Sequence, residues 1–231
     1  EGRRKRVAEV SDPLAALKNL FEDVASVYQT LPRLAGGGIG FLTYDAVRFF
    51  EKLPEQSRDD LNLPELCFLF PRIVIVQDHH RHTVQVICNV RVIGPGPRGG
   101  LQGQYQRACR RIEVTVRRLK RRGPPPRSPR RRSRRSTDRW EQTLDRRQFC
   151  RDVERVKEYI VAGDVTQTVL SIRFSRRYRG DPFQLYRSLR QINPSPYLFF
   201  VKFGDLYLVG ASPETMVHLE KGELTLRPIA G

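Results

Sequence analysis

Apolar residues recur at helical spacing near the start of the chain, at Leu14, Leu17, Phe21, Val24 and Val27. Asp12-Pro13 opens this run with a capping aspartate and a proline at the first helical position, and Pro32 closes it. Gly36-Gly37-Gly38 leads into a short apolar strand at 39–42, followed by Tyr44 and Asp45, which read as framework residues. An apolar run over 66–76 predicts a strand. A polar turn from Asp78 to His82 and an alternating segment over 83–92 make it the first arm of a hairpin. Gly94-Pro95-Gly96-Pro97 ends the sheet pattern. Residues 101–120 predict a basic helix with Tyr105, Ala108, Ile112, Val116 and Leu119 on its apolar side.

The second half is more regular. Phe149, Val153, Val156 and Ile160 mark a helix over 146–161, and Gly163-Asp164 turns the chain. Residues 165–174 read as a buried strand. Asp181-Pro182 repeats the aspartate–proline helix start, with the helix reaching about residue 191. Asn193-Pro194-Ser195-Pro196 predicts a rigid turn, because two prolines fix φ and remove amide donors. Strands are expected at 197–203, 206–210, 216–219 and 223–227, with tight turns at Gly204-Asp205 and Lys221-Gly222. Helices followed by antiparallel hairpins predict an α+β fold, with layered antiparallel sheets and packed helices.

Charge changes this picture in one place. The 231 residues carry 42 basic and 25 acidic side chains, a formal +17, and the run from Arg117 to Arg139 alone supplies +11 of it. The stretch over 121–136, with Pro124-Pro125-Pro126 and repeated arginines, cannot bury enough apolar area to offset the ordering of its backbone. It reads as an exposed linker. It has no interleaved aromatic residues on which bases would stack, which argues against a nucleic-acid partner. The chain therefore divides into an N-terminal α/β domain over 1–120, an Arg/Pro-rich linker over 121–146 and a further domain over 147–231.

Other classes are excluded on composition. Cys67, Cys88, Cys109 and Cys150 are far apart and form no CxxC pair, so neither a zinc site nor a disulfide framework is expected. No apolar run approaches the length of a bilayer span, and the basic start lacks the apolar stretch of a signal peptide. A cytoplasmic location is expected. No glycine-rich loop follows a strand to open a nucleotide site. His79, His80 and His82 fall in the hairpin turn, and His218 reads as a strand surface residue.

Four ordered segments carry a resemblance. They are Gly36-Gly37-Gly38-Ile39-Gly40-Phe41-Leu42-Thr43-Tyr44-Asp45-Ala46-Val47-Arg48 with Glu51 and Leu53-Pro54; the stretch from Lys157 through Gly163-Asp164-Val165-Thr166-Gln167 to Phe174; Asn193-Pro194-Ser195-Pro196-Tyr197; and Gly210-Ala211-Ser212-Pro213-Glu214 with Arg227-Pro228-Ile229-Ala230-Gly231. In these the chain resembles component I of anthranilate synthase, in the family of chorismate-using enzymes. The likeness covers most of 13–92 and 147–231. The absence of an initiator methionine, and of the threonine that follows the family's Pro-Ile-x-Gly motif, reads as a chain incomplete at both ends.

The resemblance implies a reaction in which ammonia adds at ring carbon 2 of chorismate, the 4-hydroxyl departs and pyruvate is eliminated. It implies that Glu214 is the acid that protonates the leaving hydroxyl. A carboxyl in that role needs burial beside a dianionic substrate to stay protonated near neutral pH. Gln167 occupies the position where water-using relatives resembling this chain carry a lysine base. A glutamine does not accept a proton at neutral pH, and ammonia needs no such base. Ala230 stands where some aminodeoxychorismate synthases, which are similar to this chain, have a nucleophilic lysine, and it favours anthranilate as product. Ala230 and Gly231 are expected to bring backbone close to the substrate, as Gln167 brings its side chain.

Asn193, Pro194, Ser195, Pro196 and Tyr197 match the segment that lines a tryptophan feedback pocket in the family. Leu198 replaces a methionine that is common next in the family, keeping an apolar contact of similar size. The resemblance further implies Mg²⁺, held by glutamates expected beyond residue 231, and a glutamine amidotransferase subunit as the ammonia-supplying partner. With those glutamates and the family's catalytic histidine outside the chain, the 231 residues by themselves are expected to be inactive.

Overall fold

The structure, a computed structural model, describes residues 12–22, 31–32, 34–54, 58–92, 100–121, 123 and 139–227. The expected continuation of the first helix to Val24 and Val27, the 93–99 and 124–138 segments, and Ala230 and Gly231 lie outside them. The chain divides into two compact units, Glu1–Pro125 and Pro126–Gly231.

In the first unit, helix α1 spans Pro13–Glu22. Its start is capped as the sequence predicts, with Asp12 Oδ1 accepting from the amides of Leu14 (3.1 Å) and Ala15 (2.9 Å). Strand β1 (Ile39–Leu42) pairs antiparallel with β2 (Leu66–Leu69), with Phe41 opposite Cys67. Phe21 of α1 packs edge-on to Phe68 at 6.3 Å and against Phe70 at 5.3 Å, and a Cβ on Gly38 would collide with the Phe21 and Phe70 rings. A 3₁₀ helix, Tyr44–Phe49, buries Ala46. Strands β3 (Ile73–Asp78) and β4 (Thr83–Cys88) form the expected hairpin. Its turn is closed by Asp78 Oδ1, which accepts from the amides of His80 and Arg81, each at 2.9 Å. Helix α2 (Gly100–Lys120) lies on β4 with Ala108 buried.

Two expectations fail in this unit. The apolar run over 66–76 is not one strand but two, β2 and β3, which serve different partners. Pro71 sits at the break. It has no amide hydrogen for a ladder, and the chain changes partner there. Asn89 braces the break, its Nδ2 donating to the Pro71 carbonyl at 3.0 Å. The return strand also ends at Cys88, short of residue 92.

In the second unit, β5 (Glu141–Gln142) pairs with β6 (Phe174–Ser175). The strand β5 falls in the segment expected to be linker. Helix α3 (Arg146–Ala162) is capped by Asp145, which accepts from the Gln148 amide at 2.8 Å, and ends on Gly163 in the left-handed region (φ 83°). Helix α4 (Pro182–Ile192) is capped by Asp181, which accepts from the Phe183 amide at 3.0 Å. It packs on the hairpin of β7 (Tyr197–Phe203) and β8 (Leu206–Ser212). The contact is aromatic: Phe183 meets Phe200 edge-on at 5.4 Å and Tyr186 approaches it at 5.8 Å, while Tyr207 of β8 approaches Phe200 within the hairpin at 5.8 Å. Such pairs add about 0.5–1.5 kcal/mol beyond area burial. Strands β9 (Val217–Glu220) and β10 (Glu223–Leu226) close through Lys221 and Gly222, both at positive φ, as a tight hairpin turn requires.

The expected buried strand over 165–174 is the main correction. Only Phe174 joins a strand, and 165–169 are exposed, with Leu170 and Ile172 half-buried. An apolar alternation becomes a strand only when a neighbouring strand takes up its backbone groups. The pairing near this segment ends with Thr143 and Arg173, where the Thr143 amide donates to the Arg173 carbonyl at 3.0 Å and the Arg173 amide donates to Thr143 Oγ1 at 3.1 Å. The α+β architecture holds, with the described strands grouped as five antiparallel two-stranded ladders. Among the described residues only Ala46 and Ala108 are buried, and large apolar side chains such as Val161, Ile192 and Met216 lie open.

Candidate active site

The site is built on the β7–β8 hairpin. The turn after α4, residues 193–197, is held by the Ser195 amide, which donates to the Asn193 carbonyl at 2.9 Å, while the Asn193 amide closes α4 on the Leu189 carbonyl at 2.8 Å. Pro194 and Pro196 flank Ser195 and restrict φ on both sides of it. Tyr197 then enters β7 opposite Ser212, the last residue of β8. This register sets the turn beside the Ser212-Pro213-Glu214 motif, although Ser195 and Ser212 lie 17 positions apart in the chain.

Two side-chain hydrogen bonds complete the junction. Ser195 Oγ donates to the Ser212 carbonyl at 2.6 Å, and Ser212 Oγ donates to the Glu214 carbonyl at 2.8 Å. Both are half-buried. Glu214 follows the β8 strand end and is itself half-buried. The segments expected to hold the acid and the effector therefore share one corner of the fold.

Gln167 lies on the irregular, exposed segment between α3 and β6. Ala230 and Gly231 fall outside the described residues, so the fold places Glu214 and the 193–197 turn together and leaves those two unplaced. Two open clefts, of about 550 Å³ beside Asp12, Arg48 and Phe50 and about 510 Å³ beside Arg139, Glu141 and Arg176, are lined by none of the predicted site residues. His218 sits on β9, its Nε2 3.9 Å from Glu220 Oε2. Among the described residues no group of three or more His, Cys, Asp or Glu side chains is disposed to hold a metal ion.

Sequence reasoning does not single out Ser212 or Arg48. Ser212 links the two motifs, and the available signal is a hydroxyl residue beside a proline in both Asn193-Pro194-Ser195-Pro196 and Ser212-Pro213-Glu214. Arg48 explains why its motif continues to Leu53-Pro54. Its Nε donates to Asp45 Oδ1 at 3.1 Å, and its Nη1 donates to the carbonyls of Leu53 (3.4 Å) and Pro54 (3.1 Å).

Comparison with known proteins defines the class. The family described as chorismate binding enzyme matches residues 3–231, and the chain belongs to that family. The relatives it matches include proteins named anthranilate synthase component 1. The chain is 33% identical over 229 residues to anthranilate synthase component 1 of Aquifex aeolicus, covering 96% of this chain and 44% of the relative. It is 37% identical over 223 residues to that of Thermus thermophilus, covering 96% and 45%. The crystal structure of anthranilate synthase component I from Streptococcus pneumoniae TIGR4 superposes with a TM-score of 0.73 at 28% identity, covering 90% of this chain and 46% of that one. The chain thus spans less than half the length of each of these relatives.

Proposed function

We propose that the protein carrying this chain converts chorismate and ammonia to anthranilate and pyruvate, as component I of an anthranilate synthase. The observation that carries this reading is Glu214. It stands directly after the Ser212-Pro213 strand end, in a chain that belongs to the chorismate-binding family and whose relatives are named anthranilate synthase component 1. In the proposed reaction ammonia forms a bond to ring carbon 2, and the C4–O bond breaks as Glu214 gives its proton to the departing hydroxyl, which leaves as water. Loss of the ring proton from carbon 2 and of the enolpyruvyl group as pyruvate then restores the aromatic ring. Gln167, having no proton-accepting group at neutral pH, supports an ammonia-using rather than a water-using site.

The proposal includes a glutamine amidotransferase subunit that supplies ammonia, and tryptophan as an effector held at Asn193, Pro194, Ser195, Pro196 and Tyr197. Mg²⁺ enters it as a group that side chains outside the described residues would hold, and as a hard cation it would neutralise carboxylate charge on the substrate. Among the described residues no helix is long and apolar enough to cross a membrane, and a cytoplasmic location is part of the same proposal.

Product analysis tests the reading. The protein carrying this chain, supplied with chorismate, ammonium and Mg²⁺, is expected to release anthranilate and pyruvate in equal amounts. Aminodeoxychorismate without pyruvate would instead assign it to the folate branch, and isochorismate would overturn the role of Gln167. The 231 residues alone are expected to show no turnover, since they span less than half of the relatives' length.

A further inference from the structure

We propose that Ser195 and Ser212 are positioning residues that couple the 193–197 turn to the backbone of Glu214 through two hydroxyl–carbonyl hydrogen bonds in series. The coupling deepens the proposed function, since it rests on reading the turn as an effector wall and Glu214 as the acid.

Three features of the corner carry it. The two bonds meet in one residue: the Ser212 carbonyl accepts from Ser195 at 2.6 Å, and the Ser212 hydroxyl donates to Glu214 at 2.8 Å. A displacement of Ser195 therefore turns the Ser212 peptide, and with it the anchor of Glu214. The backbone on the path is stiff, because Pro194 and Pro196 flank Ser195 and Pro213 lies between Ser212 and Glu214, so rotation about φ cannot absorb the movement at those positions. The β7–β8 register adds a second clamp by placing Tyr197 opposite Ser212. A ligand that prefers one placement of the turn shifts Glu214 by the free-energy difference it makes between the two placements, and a ligand at Glu214 acts back on the turn to the same extent.

The test is carbonyl ¹³C and amide NMR of the protein carrying this chain. In Ser195→Ala the Ser212 carbonyl signal is expected to move, and the Glu214 signals to move with it. In Ser195→Thr, which keeps the hydroxyl, both return toward their original positions. If the Ser212 carbonyl moves and Glu214 does not, the two bonds are independent and the proposal is overturned. Should Ser195→Ala lose the β7–β8 amide pattern, Ser212→Ala decides: Glu214 signals unmoved in a folded Ser212→Ala variant overturn the relay, and Glu214 signals that move while the 193–197 signals stay in place support it. Titration with L-tryptophan separates this outcome from the effector reading. Shifts at 193–197 that spread to Glu214 in the original chain, but stop at the turn in Ser212→Ala, support the coupling. Absence of any shift at 193–197 removes the effector reading alone, and the serine variants still judge the relay.

Discussion

Phe199 lies directly opposite Gly210 in the β7–β8 ladder, and its ring fills the space that a Cβ on Gly210 would need. The glycine that opens the Gly210-Ala211-Ser212-Pro213-Glu214 motif is therefore required by a ring across the strand pair, not by backbone conformation. Gly210→Ala is expected to displace Phe199 and destabilise the second unit by about 1–3 kcal/mol, as overpacking does. Urea unfolding followed through the aromatic signals checks this, and an unchanged midpoint would mean that the ring repacks at no cost.

Glu214→Gln removes the dissociable proton and keeps the shape of the side chain. In the protein carrying this chain, kcat for anthranilate formation is expected to fall by roughly 10²–10⁴, the usual contribution of a positioned acid, with little change in KM. Steady-state kinetics with ammonium as the nitrogen source reads this without involving a partner subunit. A loss of less than tenfold would remove Glu214 from the role of acid.

Arg48 ties Asp45 to the Leu53 and Pro54 carbonyls, and its side chain is largely covered. Lysine cannot reproduce the planar fork that serves three acceptors at once. Arg48→Lys is expected to cost about 1–2 kcal/mol and to loosen residues 49–54. Faster tryptic cleavage at Lys52 at unchanged global fold is the measurement.

Burial pushes the Cys67 thiol up from its ordinary value, because desolvation disfavours the thiolate. A raised acid is protonated more fully at a given pH, so its nucleophilic form is scarcer. Cys67 is expected to alkylate more slowly at pH 8 than Cys150, which is exposed on α3. Mass mapping of iodoacetamide adducts over time orders the two, and labelling of Cys67 first would show that β2 opens from β1 in solution.

Much of the local architecture was legible because it is decided by near neighbours. Asp12, Asp145 and Asp181 each accept amide hydrogen bonds from residues two or three positions on, so the start of each helix is written within a few residues. Lys221-Gly222 predicts its hairpin for the same reason. The candidate site was legible in its motifs, at Glu214 and the 193–197 turn. Its geometry was not, because the Ser195 to Ser212 bond spans 17 positions and depends on the register of two strands.

The sequence by itself determined the α+β class, the helix starts, the hairpin turns and the family, all of which follow from local hydrogen bonding or from motifs in order along the chain. Tertiary structure alone decided the rest. The apolar run at 66–76 divides at Pro71 because its halves pair with different strands, and 165–174 remains mostly irregular because pairing reaches only its end. Apolar alternation states which face a strand would bury, but a strand exists only where another backbone accepts its hydrogen bonds. That partner is chosen in three dimensions, as is the carbonyl that Ser195 finds at the end of β8.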